Sequence, residues 1–441
     1  MKRLLSLLLC AVLALFCATT AQAAGVSITL TASEYALHYA FDAGAQDPFV
    51  ILEYTTSAEK GWMMLYSEDG HFEGDVSLAY SGAGGKTSVA LTSARTTGSI
   101  GKASTTLPRA ADYQKPTGKS NAKVMDFVLT ETPEGFHYAF NAAGTDYMLL
   151  YWRSKEQTVT QPVYPDENGH YEGDVISDLT FARTQFTVQV KSGSGSMKKE
   201  ATVRKGYQAP EAPQRQGGRL SGVTVCIDAG HQENGRFVNE PIGPGLTGST
   251  SGKGGMAQGT KTNRRESIVC LEIGMLLRDE LLRQGANVIM TREDQTTFHT
   301  NIERCEIAEA GGAQIMLRLH CNNSSNRSKR GIQVYGPLNS DYAKAVADAD
   351  TYREMGQKLL DAMKTRVGMT LANSTGMVRL NDNYVGNNWA KMMCFLVEMG
   401  YLSNPAEEYL LVTPVYQQWL AEGMADGVYE IAVARGWVQA Q

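Results

Sequence analysis

Two short motifs recur in the amino-terminal half at one fixed spacing. His38-Tyr39-Ala40-Phe41 returns as His137-Tyr138-Ala139-Phe140, and His71-Phe72-Glu73-Gly74-Asp75-Val76 returns as His170-Tyr171-Glu172-Gly173-Asp174-Val175, both displaced by 99 residues. A common offset across separated motifs is the trace of a tandem duplication, so this half must form two copies of one small fold. Leu37, Tyr39 and Phe41 alternate with other residues, as do Phe136, Tyr138 and Phe140, which is the period of a half-buried strand. Asp69-Gly70 and Asn168-Gly169 sit at equivalent places and predict hairpin turns with positive φ. We therefore expect two tandem β-sandwich-like modules over 25–100 and 122–205, joined by a linker at 101–121 and followed by a Pro- and Gln-containing linker at 206–220. Four of the seven histidines lie in the repeats. His38 and His137 fall on the face opposite the aromatic set, and His71 and His170 follow turns, so alternation alone favours a structural over a metal-binding role for them.

The chain has 441 residues, 43% hydrophobic and 20% charged, which predicts a folded, multidomain protein. Lys2 and Arg3, an apolar run from Leu4 to Ala18, and Ala21-Gln22-Ala23 have the form of a secretory signal peptide over 1–23, cleaved before Ala24. The run is short for a membrane span, none of spanning length follows, and Phe16 before Cys17 disfavours lipoprotein processing. A secreted or cell-envelope protein is expected. Five cysteines remain after cleavage, Cys226, Cys270, Cys305, Cys321 and Cys394, without a CxxC pair, which predicts buried thiols rather than a disulfide framework. Losing Lys2 and Arg3 makes the formal net charge of −5 more negative by two, which argues against nucleic acid as a partner.

From Val223 the pattern changes to short apolar strands alternating with amphipathic helices, predicting an α/β domain with a largely parallel twisted sheet flanked by helices. Strands are expected at 223–228, 287–292, 314–320, 332–335 and 392–398, and helices at 267–283, 301–310, 341–366 and 415–435. In such a sheet, chemistry gathers at the carboxyl ends of the strands. VTVCIDAGH carries His231 past one strand end, QIMLRLHCN carries His320 to another, and MMCFLVEMG carries Glu398 to a third. Glu266 opens the helix returning from that edge. Two imidazoles and a carboxylate suit one catalytic zinc ion, and an ionised glutamate leaving an apolar strand needs a cation or a catalytic task. Singly, each has a plainer explanation, such as a surface histidine or a dipole-favoured helix-start glutamate. Their convergence on one edge favours a site.

Residues 221–438 resemble the family-3 N-acetylmuramoyl-L-alanine amidases, zinc-dependent cell-wall hydrolases. The family's Asp-x-Gly-His is met by Asp228-Ala229-Gly230-His231, its helix-starting glutamate by Glu266, and its strand-ending threonine-arginine by Thr291-Arg292. Its His-x-Asn is met by His320-Cys321-Asn322, and its Glu-x-Gly-Phe-x-x-Asn by Glu398 to Asn404 with Tyr401 in place of the phenylalanine. Gln232 stands where a second glycine is usual, and Cys321 where alanine is common. The resemblance implies Zn2+ held by His231, Glu266 and His320, Glu398 as catalytic acid/base, and peptidoglycan as substrate. Asp228 and Asn322 are expected to hold ligand rings and loop backbone, Arg292 and Arg304 to be structural, and Pro241–Asn263 and Asn383–Trp389 to wall the groove, the first as a mobile stretch. The resemblance does not reach the β modules, for which a wall polymer or a protein partner is the candidate.

Two other functions share these residues. A zinc peptidase acting on stem peptides would use the same metal chemistry, and a catalytically dead wall-binding or regulatory protein would use only the modules. The complete set of His231, Glu266, His320 and Glu398 speaks against the second, and no GxSxG or Cys-His arrangement supports serine or thiol hydrolysis.

Overall fold

The computed structural model describes residues 19–22, 26–78, 80–113, 115, 117, 123–132, 135–153, 157–176, 185–191, 197–204, 210–232, 238–250, 255–368 and 377–440. Most of the expected signal peptide lies outside the described residues. Near residue 205 the chain divides into two compact units.

Among the described residues the regular elements of the first unit are all strands: β1 (Thr19–Gln22), β2 (Ser27–Ala32), β3 (Ala36–Asp42), β4 (Phe49–Thr55), β5 (Glu59–Tyr66), β6 (His71–Ser77), β7 (Gly85–Ser93) and β8 (Ser99–Leu107), then β9 (Val124–Thr132), β10 (Gly135–Ala142), β11 (Met148–Arg153), β12 (Gln157–Val163), β13 (His170–Ile176), β14 (Gln185–Lys191) and β15 (Met197–Arg204). β1 falls within the stretch expected to be cleaved. Gly70 and Gly169 turn at φ 82° and 80°, in the left-handed region the two hairpin dipeptides predict. Each repeat has its own apolar core. Tyr39, Phe41 and Phe72 of the short sheet β1-β2-β3-β6 meet Leu52, Val89 and Leu91 in the first, and Phe136, Phe140 and Tyr171 of the sheet β13-β10-β9 meet Trp152, Phe186 and Val188 in the second.

The repeats are not separate bodies. Their other strands form one eight-stranded sheet in the order β15-β14-β11-β12-β5-β4-β7-β8, closed at its middle by antiparallel pairing of β12 with β5. Buried Glu59 spans the joint, accepting from Gln157 Nε2 (3.0 Å), Ser81 Oγ (2.9 Å) and the Tyr80 amide (3.0 Å). Burial pushes its carboxyl up despite those donors. The expected linker at 101–121 also begins too early, because β8 runs through Leu107. Its inward positions are Gly101, Ala103, Thr105 and Leu107, and such small side chains leave little apolar alternation to read.

The second unit runs β16 (Thr224–Ala229), α1 (Glu266–Arg283), β17 (Asn287–Met290), α2 (Asn301–Ala310), β18 (Ile315–Asn322), β19 (Gln333–Gly336), α3 (Asp341–Val346), α4 (Ala349–Val367), β20 (Met377–Leu380), α5 (Val385–Trp389), β21 (Met393–Tyr401), α6 (Glu407–Leu410) and α7 (Pro414–Ala434). Its sheet has the order β17-β16-β18-β21-β19-β20. The first four are parallel, as expected, but β19 is antiparallel to β21. The reason is the 323–332 connection, which carries no crossover helix and so returns the chain to the sheet at the end it left. The helix expected over 341–366 is two helices, because Ala347 is extended and Asp348 caps α4 by accepting from the Thr351 amide at 2.7 Å. All five expected thiols are free and buried. Among the described residues no helix is long and apolar enough to cross a membrane.

Candidate active site and metal centre

Three strands deliver the polar side chains. β18 and β21 pair in parallel with His320 opposite Glu398 in register. β16 ends at Ala229, and Gly230 then passes so close to β18 that its amide donates to the Leu319 carbonyl at 2.9 Å. A Cβ on Gly230 would collide with that carbonyl and with the His320 ring, which is why glycine precedes the histidine. His231 follows with φ 57°, an unusual conformation for a residue with a Cβ, and it turns the ring back over the strand ends. Glu266 arrives on the first turn of α1.

The four converge. His231 Nε2 lies 3.2 Å from Glu266 Oε2, and His320 Nδ1 lies 3.0 Å from Glu266 Oε1. The imidazoles meet edge to face with centroids 4.9 Å apart. One ligand atom from each of the three residues falls within 4.8 Å of the others. The Ala257 amide (2.7 Å) and the Cys321 amide (3.0 Å) also donate to Glu266 and fix its carboxylate. Burial alone would raise this carboxyl, but the two histidines outweigh it and hold it well below the usual range. Burial pushes His320 down against the pull of Glu266, which favours the neutral, ligand form of the ring. Glu398 has no such donors. Burial, then the charge of Glu266, push it up to about 8.

Two buried atoms here lack any hydrogen-bond partner, His320 Nε2 and Glu398 Oε2. Orphaned buried polar groups are rare in folded proteins, and a nitrogen and a carboxylate oxygen left bare beside a His-Glu-His set fit a borderline cation with a water. The donor set therefore suits zinc.

Asp228 does not touch the histidine rings. Fully buried, it accepts from Thr291 Oγ1 (2.8 Å), from Arg318 Nε (2.9 Å) and from Arg304 Nη1. The two arginines overcome its burial and hold its carboxyl far below the usual range. Arg304 donates onward to the carbonyls of Ala229 (2.9 Å) and His231 (3.3 Å), and Arg292 to those of Ala229 (2.8 Å) and Gly230 (2.9 Å). Asp228 thus anchors Arg304, which with Arg292 grips the backbone carrying His231. Asn322 donates to Gln333 Oε1 at 3.0 Å, and Gln333 pairs with Glu398 across β19 and β21. Sequence reasoning passed over Arg318, although a charge inside IMLRLHCN is itself a sign of a buried counter-ion. It also passed over Glu240, which accepts from the Asn301 (3.2 Å) and Ile302 (2.8 Å) amides and caps α2 at the groove.

His231, Glu266, His320 and Glu398 line a cleft of about 920 Å³. Thr250, Gly255, Met256 and Ala257 line it from the stretch expected as one wall, of which 251–254 lie outside the described residues. Asn383, Tyr384 and Val385 line it from the other, with Tyr384 against Tyr335 at 5.1 Å.

Residues 225–430 match the N-acetylmuramoyl-L-alanine amidase family. A germination-specific N-acetylmuramoyl-L-alanine amidase of Bacillus subtilis is 26% identical over 231 residues, covering 49% of this chain and 83% of that protein. A probable cell wall amidase of Staphylococcus aureus is 29% identical over 213 residues, covering 47% of this chain but only 58% of that protein. Among solved structures, an N-acetylmuramoyl-L-alanine amidase of Clostridium difficile 630 aligns over 48% of this chain and 96% of its own, with 25% identity and a TM-score of 0.38.

Proposed function

With residues 225–430 an N-acetylmuramoyl-L-alanine amidase domain, we propose that the protein is an exported peptidoglycan hydrolase that cuts the amide between N-acetylmuramic acid and L-alanine. The observation that carries this is the orphaned Glu398 carboxylate, paired in register with His320 and facing a His231–Glu266–His320 set. Those three residues would hold the zinc, which when bound supplies Lewis acidity to the scissile carbonyl and to water. Glu398 takes the proton of the attacking water and returns it to the departing amine of L-alanine. A carboxyl that burial keeps from giving up its proton cheaply is suited to both halves of that transfer. Glu266, fixed by two backbone amides, orients both imidazoles. Asp228, through Arg304, holds the turn that presents His231, and Asn322 steadies Gln333 beside Glu398.

The amino-terminal repeats, as tandem β-sandwich-like modules, serve attachment to the wall or to a partner protein, and the leader over 1–23 directs export. Peptidoglycan digested with the full chain should yield free stem peptides with new L-alanine amino termini. New amino groups on any other residue would favour the stem-peptide peptidase instead, and none at all would favour the inactive wall-binding protein.

A further inference from the structure

Gln232 directly follows one histidine of the candidate metal centre, and the proposed reaction leaves it unused. Half-buried, it lines the cleft together with His231, Glu266, His320 and Glu398. Its side-chain oxygen accepts from Arg304 Nη2. That contact decides which way the amide faces. A guanidinium only donates, so the oxygen must be the end turned towards Arg304 and the nitrogen the end turned away from it. Among the described residues, Gln232 Nε2 donates to no protein group. Its hydrogens are left for whatever occupies the cleft.

Arg304 cannot play that part itself, although it too lines the cleft. Nε donates to the His299 carbonyl (3.2 Å), Nη1 to Asp228 and to the Ala229 carbonyl (2.9 Å), and Nη2 to the His231 carbonyl (3.3 Å) and to Gln232. Every hydrogen of the guanidinium is thereby engaged. Asn301, another amide of the cleft, donates from Nδ2 to Glu240 at 2.7 Å and accepts from Arg318 at 2.7 Å. Gln232 differs in that a cation fixes one end of its amide and leaves the other end unspent. The anchor is firm, because Asp228 behind Arg304 is fully buried.

We propose that Gln232 is a substrate-binding residue that donates from Nε2 to an amide carbonyl flanking the scissile bond, either the acetamido carbonyl of muramic acid or the carbonyl of L-alanine. The inference rests on the amidase reading for the identity of the substrate. Consecutive Cα atoms lie about 3.8 Å apart, so a substrate whose scissile amide sits at the His231–Glu266–His320 set brings the carbonyls on either side of it to the next residue along the chain. Nε2 is held before the substrate arrives, so little side-chain freedom is lost on binding. A flanking carbonyl keeps its charge throughout the reaction, so the contact should act on KM rather than on kcat. Glycine, usual at this position in the family the domain resembles, offers no side-chain donor, which makes the contact an addition to the shared site.

Two substitutions test this. Gln232→Glu keeps the length and the oxygen that Arg304 holds, with Arg304 offsetting the new charge, but removes both N–H groups. Gln232→Leu removes the Arg304 contact as well. In the zinc-loaded full chain carrying Glu398→Gln, which does not consume the ligand, calorimetric titration with N-acetylmuramoyl-L-alanyl-D-isoglutamine should show Kd raised roughly fivefold to tenfold by either substitution, as the loss of one neutral hydrogen bond implies. With Glu398 intact, Gln232→Glu should raise KM by the same factor and leave kcat, zinc content and melting temperature unchanged. Titration with the same ligand lacking its N-acetyl group identifies the acceptor. If Gln232→Glu then costs nothing further, the acceptor is the acetamido carbonyl; if the factor persists, it is the L-alanine carbonyl. Wild-type affinity in Gln232→Glu, with only Gln232→Leu impaired, would overturn the proposal and leave Gln232 a prop for Arg304. So would a lower kcat at unchanged KM. An intact shift in Kd, in a protein whose wild type does not cut the muramoyl–alanine amide, would refute the proposed reaction and uphold the contact; no binding by the parent would overturn both.

Discussion

Replacing Glu398 with glutamine separates catalysis from metal binding and from folding. The substitution keeps size and polarity but removes the proton acceptor, so turnover should fall by roughly two orders of magnitude or more while zinc stays bound. The same change should alter stability in the metal-free protein, with a sign set by burial. The carboxyl rises from 4.5 to about 8 on folding. Between those values the native state keeps a proton that the unfolded state has released, so the contribution of Glu398 to stability is greatest below pH 4.5 and declines as pH rises towards 8. At about 1.36 kcal/mol per pH unit the loss reaches about 3 kcal/mol by pH 7. Glutamine does not titrate. Metal-free Glu398→Gln should therefore be the more stable protein at pH 7, by about 3 kcal/mol or roughly 10 °C in Tm, and no more stable than wild type near pH 4. With zinc present the cation offsets the penalty and the gain should shrink. Melting curves at both pH values, beside zinc content and amide hydrolysis, decide the matter. An active variant, an inactive variant that has lost its zinc, or a metal-free variant with no gain at pH 7 would refute the role assigned to Glu398.

Other substitutions probe the neighbouring groups. His231→Ala and His320→Ala should each abolish zinc binding at the amidase site, and full occupancy of that site in His320→Ala, read from wild-type hydrolysis at stoichiometric zinc, would sink the ligand assignment. Glu266→Gln should lower metal affinity and lose activity through the metal, with partial recovery in excess zinc. Asp228→Asn leaves Arg304 and Arg318 buried without their anion, so urea denaturation should show a loss of about 3–5 kcal/mol, and an unchanged midpoint would contradict the buried network. Removing residues 25–205 should weaken sedimentation with insoluble wall more than turnover of soluble fragments. Equal sedimentation would leave the modules a spacer or a protein-binding role.

Glu398 and His320 were legible because each ends an apolar run, and the end of a buried strand is where a charge has to be explained. Gly230 was visible as a letter of a motif, but the reason for it was not, since the approach of Leu319 and His320 exists only in the folded sheet. Asp228 misled in its detail. Its partners Arg304 and Arg318 lie 76 and 90 residues away, and residue types carry no information about which of several buried charges will meet. The joint between the repeats was invisible for a different reason. Pairing of β5 with β12 uses main-chain groups, and any edge strand of suitable length carries those groups whatever its side chains.

That joint also bears on how the chain could assemble. With the 99-residue offset, β12 is the counterpart of β5, β11 of β4, β14 of β7 and β15 of β8, so the strand order reads the same from either end about a local two-fold axis. An isologous pair of single modules would make this contact, and covalent linkage turns it into an event within one molecule, independent of concentration. The equivalence has a cost. A first module can meet the second module of a neighbouring chain through the same β5–β12 hydrogen bonds, so a reciprocal exchange would give a domain-swapped dimer with no new interface and an entropic penalty set by the segment between β8 and β9. Shortening that segment would move the balance towards the swapped form, whereas the native length lets each chain satisfy its own edge.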